Sequence, residues 1–237
     1  GIRGFIDAYD AQTGKRAWRF YTVAGPGEVG GRTWPEGDAY KRGGGSVWVT
    51  GTYDPELNAV YYGTGNPGPD YYSSAREGDN LFTASLVALN PDNGQLRWHY
   101  QFTPHDVHDW DSTQVPVLGD LEINRQPRKV VMFANRNGFF YVLDRETGKL
   151  LAANPYIPKL NWATGIDLKT GRPIETELTK KARAGEQVLV QPSLLGGKNW
   201  EPMSYDPVKN VAYANTLNIG FNYKAIPQEW KVGEWYL

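Results

Sequence analysis

Ala8-Tyr9-Asp10-Ala11-Gln12-Thr13-Gly14-Lys15-Arg16-Ala17-Trp18 sets the pattern for much of the chain. A small or apolar residue leads to Asp or Asn, a Thr-Gly or Asn-Gly pair follows two residues later, and the return is closed by an apolar residue or Trp. The phrase recurs as Ala88-Leu89-Asn90-Pro91-Asp92-Asn93-Gly94-Gln95-Leu96-Arg97-Trp98 and as Val142-Leu143-Asp144-Arg145-Glu146-Thr147-Gly148-Lys149-Leu150, with a weaker copy from Asp167 to Gly171. Each copy reads as a strand, a tight turn whose Gly takes a positive φ, and a returning strand. A second hairpin, Tyr53-Asp54-Pro55-Glu56-Leu57-Asn58-Ala59-Val60-Tyr61-Tyr62, is echoed by Tyr205-Asp206-Pro207-Val208-Lys209-Asn210-Val211-Ala212-Tyr213.

Irregular hairpin repeats at intervals of tens of residues mark β-propeller blades. Nine Trp, fifteen Tyr, 27 Gly and 16 Pro in 237 residues fit many short strands joined by turns rather than a helical bundle. No helix of convincing length and period is visible, and residues 24–45 and 155–196 read as long loops between hairpins. A formal net charge of −1 with scattered Lys and Arg leaves no basic stripe, so neither nucleic acid nor an anionic membrane surface is indicated. No apolar run is long enough to span a bilayer. The absence of cysteine excludes disulfides, thiolate metal sites and a Cys-x-x-Cys-His haem attachment within this stretch. The chain starts at Gly1 without an initiator Met and reads as an internal piece of a longer protein.

Hard oxygen donors gather in two stretches, Gly63-Thr64-Gly65-Asn66-Pro67 and Thr103-Pro104-His105-Asp106-Val107-His108-Asp109-Trp110-Asp111, which suits a Ca²⁺-like cation. In extended chain, Asp109 and Asp111 would face the same side and offer both carboxylates to one ion. A solvated strand-end carboxylate is the other reading of Asp111. Asp106 reads as a loop-capping carboxylate. With three His and no Cys, a Zn site at His105 and His108 is disfavoured.

These stretches, with Gly43-Gly44-Gly45-Ser46-Val47-Trp48, Arg76-Glu77-Gly78-Asp79-Asn80-Leu81-Phe82-Thr83, Asn135-Arg136-Asn137-Gly138-Phe139 and Gly196-Gly197-Lys198-Asn199-Trp200, resemble the quinoprotein alcohol dehydrogenases of the methanol/ethanol type. The resemblance implies an all-β fold, a partial and open piece of an eight-bladed quinoprotein β-propeller, with residues 1–237 forming one incomplete domain of four to five blades and no second domain. Trp18 and Trp98 would be its blade-docking tryptophans, a role that agrees with that of a buried core Trp. It implies an oxidoreductase that oxidises a primary or other small alcohol by hydride transfer to metal-bound pyrroloquinoline quinone (PQQ). Asp109 falls on the catalytic base. Ser46, Trp48, Arg136, Asn199 and Trp200 fall on cofactor contacts, and Asn66, Asp109 and Asp111 on ligands for Ca²⁺ or a lanthanide ion. An extra Asp at the place of Asp111 is a mark of lanthanide-using branches, and glucose-type relatives also carry it. A further Glu ligand would lie just before Gly1. A periplasmic setting and a cytochrome c electron acceptor follow from the same resemblance. Asp70-Tyr71 departs from it, since family members often carry Trp there, and His108 and Trp110 replace the aromatics that flank the base. The competing expectation is a non-catalytic quinoprotein-like propeller that serves as a protein-binding scaffold.

Overall fold

The computed structural model describes residues 1–237. In chain order the strands are β1 (Phe5–Tyr9), β2 (Arg16–Tyr21), β3 (Thr52–Asp54), β4 (Ala59–Gly63), β5 (Ser85–Leu89), β6 (Leu96–Gln101), β7 (Val117–Ile123), β8 (Gln126–Ala134), β9 (Phe139–Asp144), β10 (Leu150–Pro155), β11 (Ala163–Ile166) and β12 (Pro173–Glu175). The helix α1 (Glu177–Arg183), β13 (Val188–Val190), β14 (Ser204–Asp206), β15 (Val211–Tyr213) and β16 (Phe221–Tyr223) follow. Two antiparallel meanders, β3-β4-β5-β6 and β7-β8-β9-β10, are four-stranded, and the other four sheets hold two strands each. The fold is all-β and open, as the hairpin repeats imply. The stretch 155–196, expected as loop, contains β11 to β13 and the seven-residue helix. That helix is too short for its period to stand out from the sequence.

The repeated phrase folds the same way each time. Asp10 and Asp144 each accept at Oδ1 the backbone N–H groups of the residues two and three positions on, together with the Thr hydroxyl. Asp167 repeats the backbone part of this arrangement. The turn Gly takes φ of 67° at Gly14, 72° at Gly94, 73° at Gly148 and 73° at Gly171. The other hairpin is also duplicated in detail: Tyr53 OH donates to Asn58 Oδ1 and Tyr205 OH to Asn210 Oδ1, both at 3.0 Å.

Each closing Trp reaches across to the next turn. Trp18 Nε1 donates to Pro91 O (2.8 Å) and Trp98 Nε1 to Arg145 O (3.1 Å). A Cβ on Gly148 would lie 2.6 Å from the Trp98 ring, so this turn tolerates only Gly on steric as well as backbone grounds. Between the two complete sheets, Tyr61, Leu86, Trp98, Tyr100 and Phe102 pack against Val131, Phe133, Phe139, Tyr141 and Leu143 in one core. Phe102 stacks on Phe133 with centroids 4.7 Å apart.

The docking turns close β5-β6 and β9-β10 at one end of the sheets. The segments that leave β4, β6 and β8 emerge at the other end and cross one another there. Ser112 N donates to Thr64 O (2.9 Å), and Asn135 Nδ2 donates to Ser112 Oγ (2.8 Å). A Cβ on Gly63 would lie 1.8 Å from Ser112 O, so the loop after β6 can cross β4 only over a glycine.

Candidate active site

The loop between β6 and β7 is tied by Asp106, whose carboxylate accepts His108 N (3.1 Å) and Trp110 N (2.9 Å). Asp106 is the capping residue expected of it. Trp110 is buried and donates from Nε1 to Ser193 O (2.8 Å), while His108 Nδ1 lies 2.7 Å from the Tyr223 hydroxyl. These anchors hold Asp109 in the left-handed region, with φ 62°. Here the expectation of extended chain fails: a residue at positive φ breaks the alternation of strand faces, so side-chain alternation cannot be what brings Asp109 and Asp111 together.

Asp111 is 8% exposed, not a solvated strand end. Its Oδ1 accepts Asn66 N (2.8 Å), its Oδ2 accepts Trp48 Nε1 (3.1 Å), and Arg136 Nη2 stands 3.4 Å away. One carboxylate thus joins three of the expected site segments. Arg136 lies in the β8-β9 turn, which is a true hairpin turn closed by Gly138 N donating to Asn135 O (3.1 Å). Its side chain is nevertheless buried and directed to the site. It donates from Nη1 to Asp109 O (3.0 Å) and from Nη2 to Asn199 Oδ1 (2.8 Å), and its guanidinium carbon lies 5.9 Å from the Trp48 ring centroid.

Asn66, Asp109, Asp111, Trp48, Arg136 and Asn199 therefore form one contact network, which Asn66 enters through its backbone N–H and Asp109 through its carbonyl oxygen. Ser46 and Trp200 join it through the backbone: Ser46 O accepts Gly65 N (2.9 Å), and Trp200 N donates to Asn199 Oδ1 (2.9 Å). The Trp48 and Trp200 indoles are 47% and 53% exposed. Three members were not assigned from sequence. Asp70 Oδ1 accepts Asn66 Nδ2 (2.7 Å). Lys198, fully buried, donates from Nζ to the Asn199 and Glu201 carbonyls. Arg76, also fully buried, bonds the Asp70 and Asp106 carbonyls. The departure at Asp70 was visible in the sequence, whereas a buried Lys or Arg has no local signal.

The charges are out of balance. Burial first, and then the charges of Asp70 and Asp111, push the Asp109 carboxyl up to about 8. Burial raises Asp70 as well, and pushes Asp106 up to about 6. Crowded carboxylates of this kind are held ionised by a cation, and oxygen donors without sulfur suit a hard one. Arg136 Nε is buried with no hydrogen-bond partner, and the exposed Trp48 ring lies nearby. An acceptor-bearing planar group would satisfy both features. No three His, Cys, Asp or Glu side chains close on one point here, so the chain offers a partial donor set, whose oxygen chemistry suits a hard metal ion beside a flat, oxygen-rich cofactor.

Comparison with known proteins agrees with this chemistry. Residues 1–154 match the family model described as PQQ, glucose/ethanol/alcohol dehydrogenase, beta-propeller domain. A quinohemoprotein alcohol dehydrogenase, ADH-IIG of Pseudomonas putida, is 46% identical over 96% of this chain and 33% of its own length. The solved structure of ADHIIG from Pseudomonas putida HK5 superposes with a TM-score of 0.89 at 46% identity, covering 98% of this chain and 36% of that one. A europium-containing methanol dehydrogenase superposes with a TM-score of 0.90 at 34% identity, covering 99% of this chain and 44% of that one. The chain spans about a third of the length of the curated relative ADH-IIG.

Proposed function

Since the chain belongs to the PQQ-dependent glucose/ethanol/alcohol dehydrogenase β-propeller family, we propose that residues 1–237 are one incomplete PQQ-binding propeller domain of an enzyme that oxidises a primary or other small alcohol. PQQ with its metal ion, when bound, supplies the electrophilic quinone that accepts hydride. In this reading Asn66, Asp109 and Asp111 hold the ion, which is Ca²⁺ or a lanthanide. Trp48 offers an aromatic face to the cofactor, and Ser46, Arg136, Asn199 and Trp200 hold its edge. Arg136 keeps its charge when desolvated and has an unsatisfied Nε to give to a cofactor oxygen.

Asp109 takes the proton from the alcohol hydroxyl as general base. Its carboxyl needs a neighbouring cation to stay ionised, because burial and the charges of Asp70 and Asp111 favour its protonated form. Arg136 also fixes the Asp109 backbone through Asp109 O, so the base and the cofactor contact are held by one guanidinium. The enzyme would work in the periplasm and pass electrons to a cytochrome c. No helix of the chain is long and apolar enough to cross a membrane.

The observation that carries this reading is the convergence, through hydrogen bonds and one ion pair, of Trp48, Asn66, Asp111, Arg136 and Asn199, drawn from five separate segments. The test is alcohol-dependent dye reduction by the protein expressed from its full reading frame and reconstituted with PQQ and either Ca²⁺ or La³⁺. Turnover with at least one ion is expected, and Asp109→Ala should lower it by 10²-fold or more, the order expected for loss of a general base. No turnover with any small alcohol, or an Asp109→Ala variant as active as the wild type, would refute the proposal.

A further inference from the structure

Arg76 takes no part in the chemistry above, yet its side chain is fully buried and every donor bond it makes is to an uncharged oxygen. Nε donates to Pro69 O (2.8 Å), Nη1 to Asn80 Oδ1 (3.0 Å), and Nη2 to both Asp70 O (3.1 Å) and Asp106 O (2.5 Å). Asn80 in turn donates from Nδ2 to Arg76 O (2.8 Å). A buried cation is costly unless its donors are satisfied, and a guanidinium can satisfy them in a fixed, planar fork that spans several segments. A Lys ammonium is a single point and cannot.

Two of the spanned segments carry the ion ligands. Pro69 and Asp70 close the loop that begins at Asn66, and Asp70 Oδ1 accepts the Asn66 side-chain amide. Asp106 opens the other loop, and its carboxylate fixes the backbone around Asp109. We propose that Arg76 is a positioning residue that sets the spacing between the 66–70 and 106–111 loops, and through it the geometry in which Asn66, Asp109 and Asp111 take a cation. This inference rests on the reading of those loops as the metal site.

The experiment uses Tb³⁺ alone as the probe, with the protein expressed from its full reading frame and emission sensitised by nearby tryptophans such as Trp48. Arg76→Lys keeps the charge and loses the fork. Its dissociation constant for Tb³⁺ is expected to rise tenfold or more, and the luminescence lifetime to shorten as water replaces lost protein oxygens. Arg145→Lys is the control. Arg145 is 6% exposed and pairs with Asp54 and Glu56 away from the site, so this variant should melt earlier while binding Tb³⁺ within twofold of wild type.

Should Arg76→Lys fail to fold, Asn80→Gly decides. It removes the amide that braces the guanidinium, suits the φ of 61° at that position, and should weaken Tb³⁺ binding two- to fivefold. Unchanged affinity and lifetime in Arg76→Lys, or in Asn80→Gly when that variant decides, overturns the inference, and so does an equal loss in Arg145→Lys. Wild-type protein that binds no Tb³⁺ overturns the metal-site reading and this inference together. Wild-type binding with unaffected variants overturns the inference alone.

Discussion

Asp111 accepts the Asn66 backbone N–H and the Trp48 indole N–H, so Asp111→Ala would remove scaffold and proposed ligand at once. Asp111→Asn keeps an oxygen acceptor and removes the charge. Coulomb attraction scales with the charge of the ion, so the loss should be larger for a trivalent ion than for Ca²⁺. Parallel calorimetric titrations are expected to show affinity for La³⁺ falling at least tenfold more than affinity for Ca²⁺, a difference of about 1.4 kcal/mol. Equal losses would mean that Asp111 serves the fold alone. His105 gives a separate prediction for pH. Burial and the nearby Arg76 push its imidazole down to about 4, with Nδ1 placed 2.6 Å from Gly78 O. A depressed His value means that the unfolded chain takes up a proton near pH 6.5 while the folded chain does so only near 4. Its contribution is therefore complete above 6.5 and is lost as the pH falls toward 4. His105→Asn, which tolerates the φ of 51°, should flatten the urea-derived stability of the protein across that window. A slope equal to that of wild type would exclude His105 as its source.

The hairpin turns are the elements most legible in the sequence, because every part of them is local. The Asp side chain, the Thr hydroxyl and the positive-φ Gly lie within five residues, and the structure repeats them at Asp10 and Asp144 with the same bonds. Docking on these turns can be separated from backbone strain. A Cβ on Gly14 would meet nothing within 4 Å, whereas one on Gly148 would meet Trp98 at 2.6 Å, and the two φ values are 67° and 73°. Gly14→Ala is expected to cost about 1 kcal/mol from the left-handed backbone alone. Gly148→Ala should cost about 1–3 kcal/mol more from overpacking against the indole. Urea unfolding of both variants measures the difference, and equal losses would show that the turn does not seat the Trp tightly. The element that misled was the loop after β6. Its alternation suggested extended chain, but Asp106 captures the N–H groups of His108 and Trp110 and turns Asp109 into the left-handed region. A side chain bonding to its own loop overrides a two-residue pattern.

Across the whole molecule, the candidate site draws on residues 46–48, 66–70, 106–111, 136 and 199–200, which meet where segments leave one end of the sheets. Their convergence was foreseeable only through family resemblance, since no spacing rule links Trp48 to Asp111 or Arg136 to Asn199. Asp70, Arg76 and Lys198 were unassigned for a related reason: each acts by bonding backbone or amide groups whose neighbours are set by tertiary structure. The match over residues 1–154 and the 46% identity to a quinohemoprotein alcohol dehydrogenase establish the family, and the chain covers about a third of that relative. The claim that the site holds a metal ion is tested most directly by anomalous diffraction from crystals grown with PQQ and a lanthanide. The account predicts one anomalous peak about 2.3–2.6 Å from oxygens of Asn66, Asp109 and Asp111. A lanthanide bound elsewhere, with those three side chains left without it, would contradict the account.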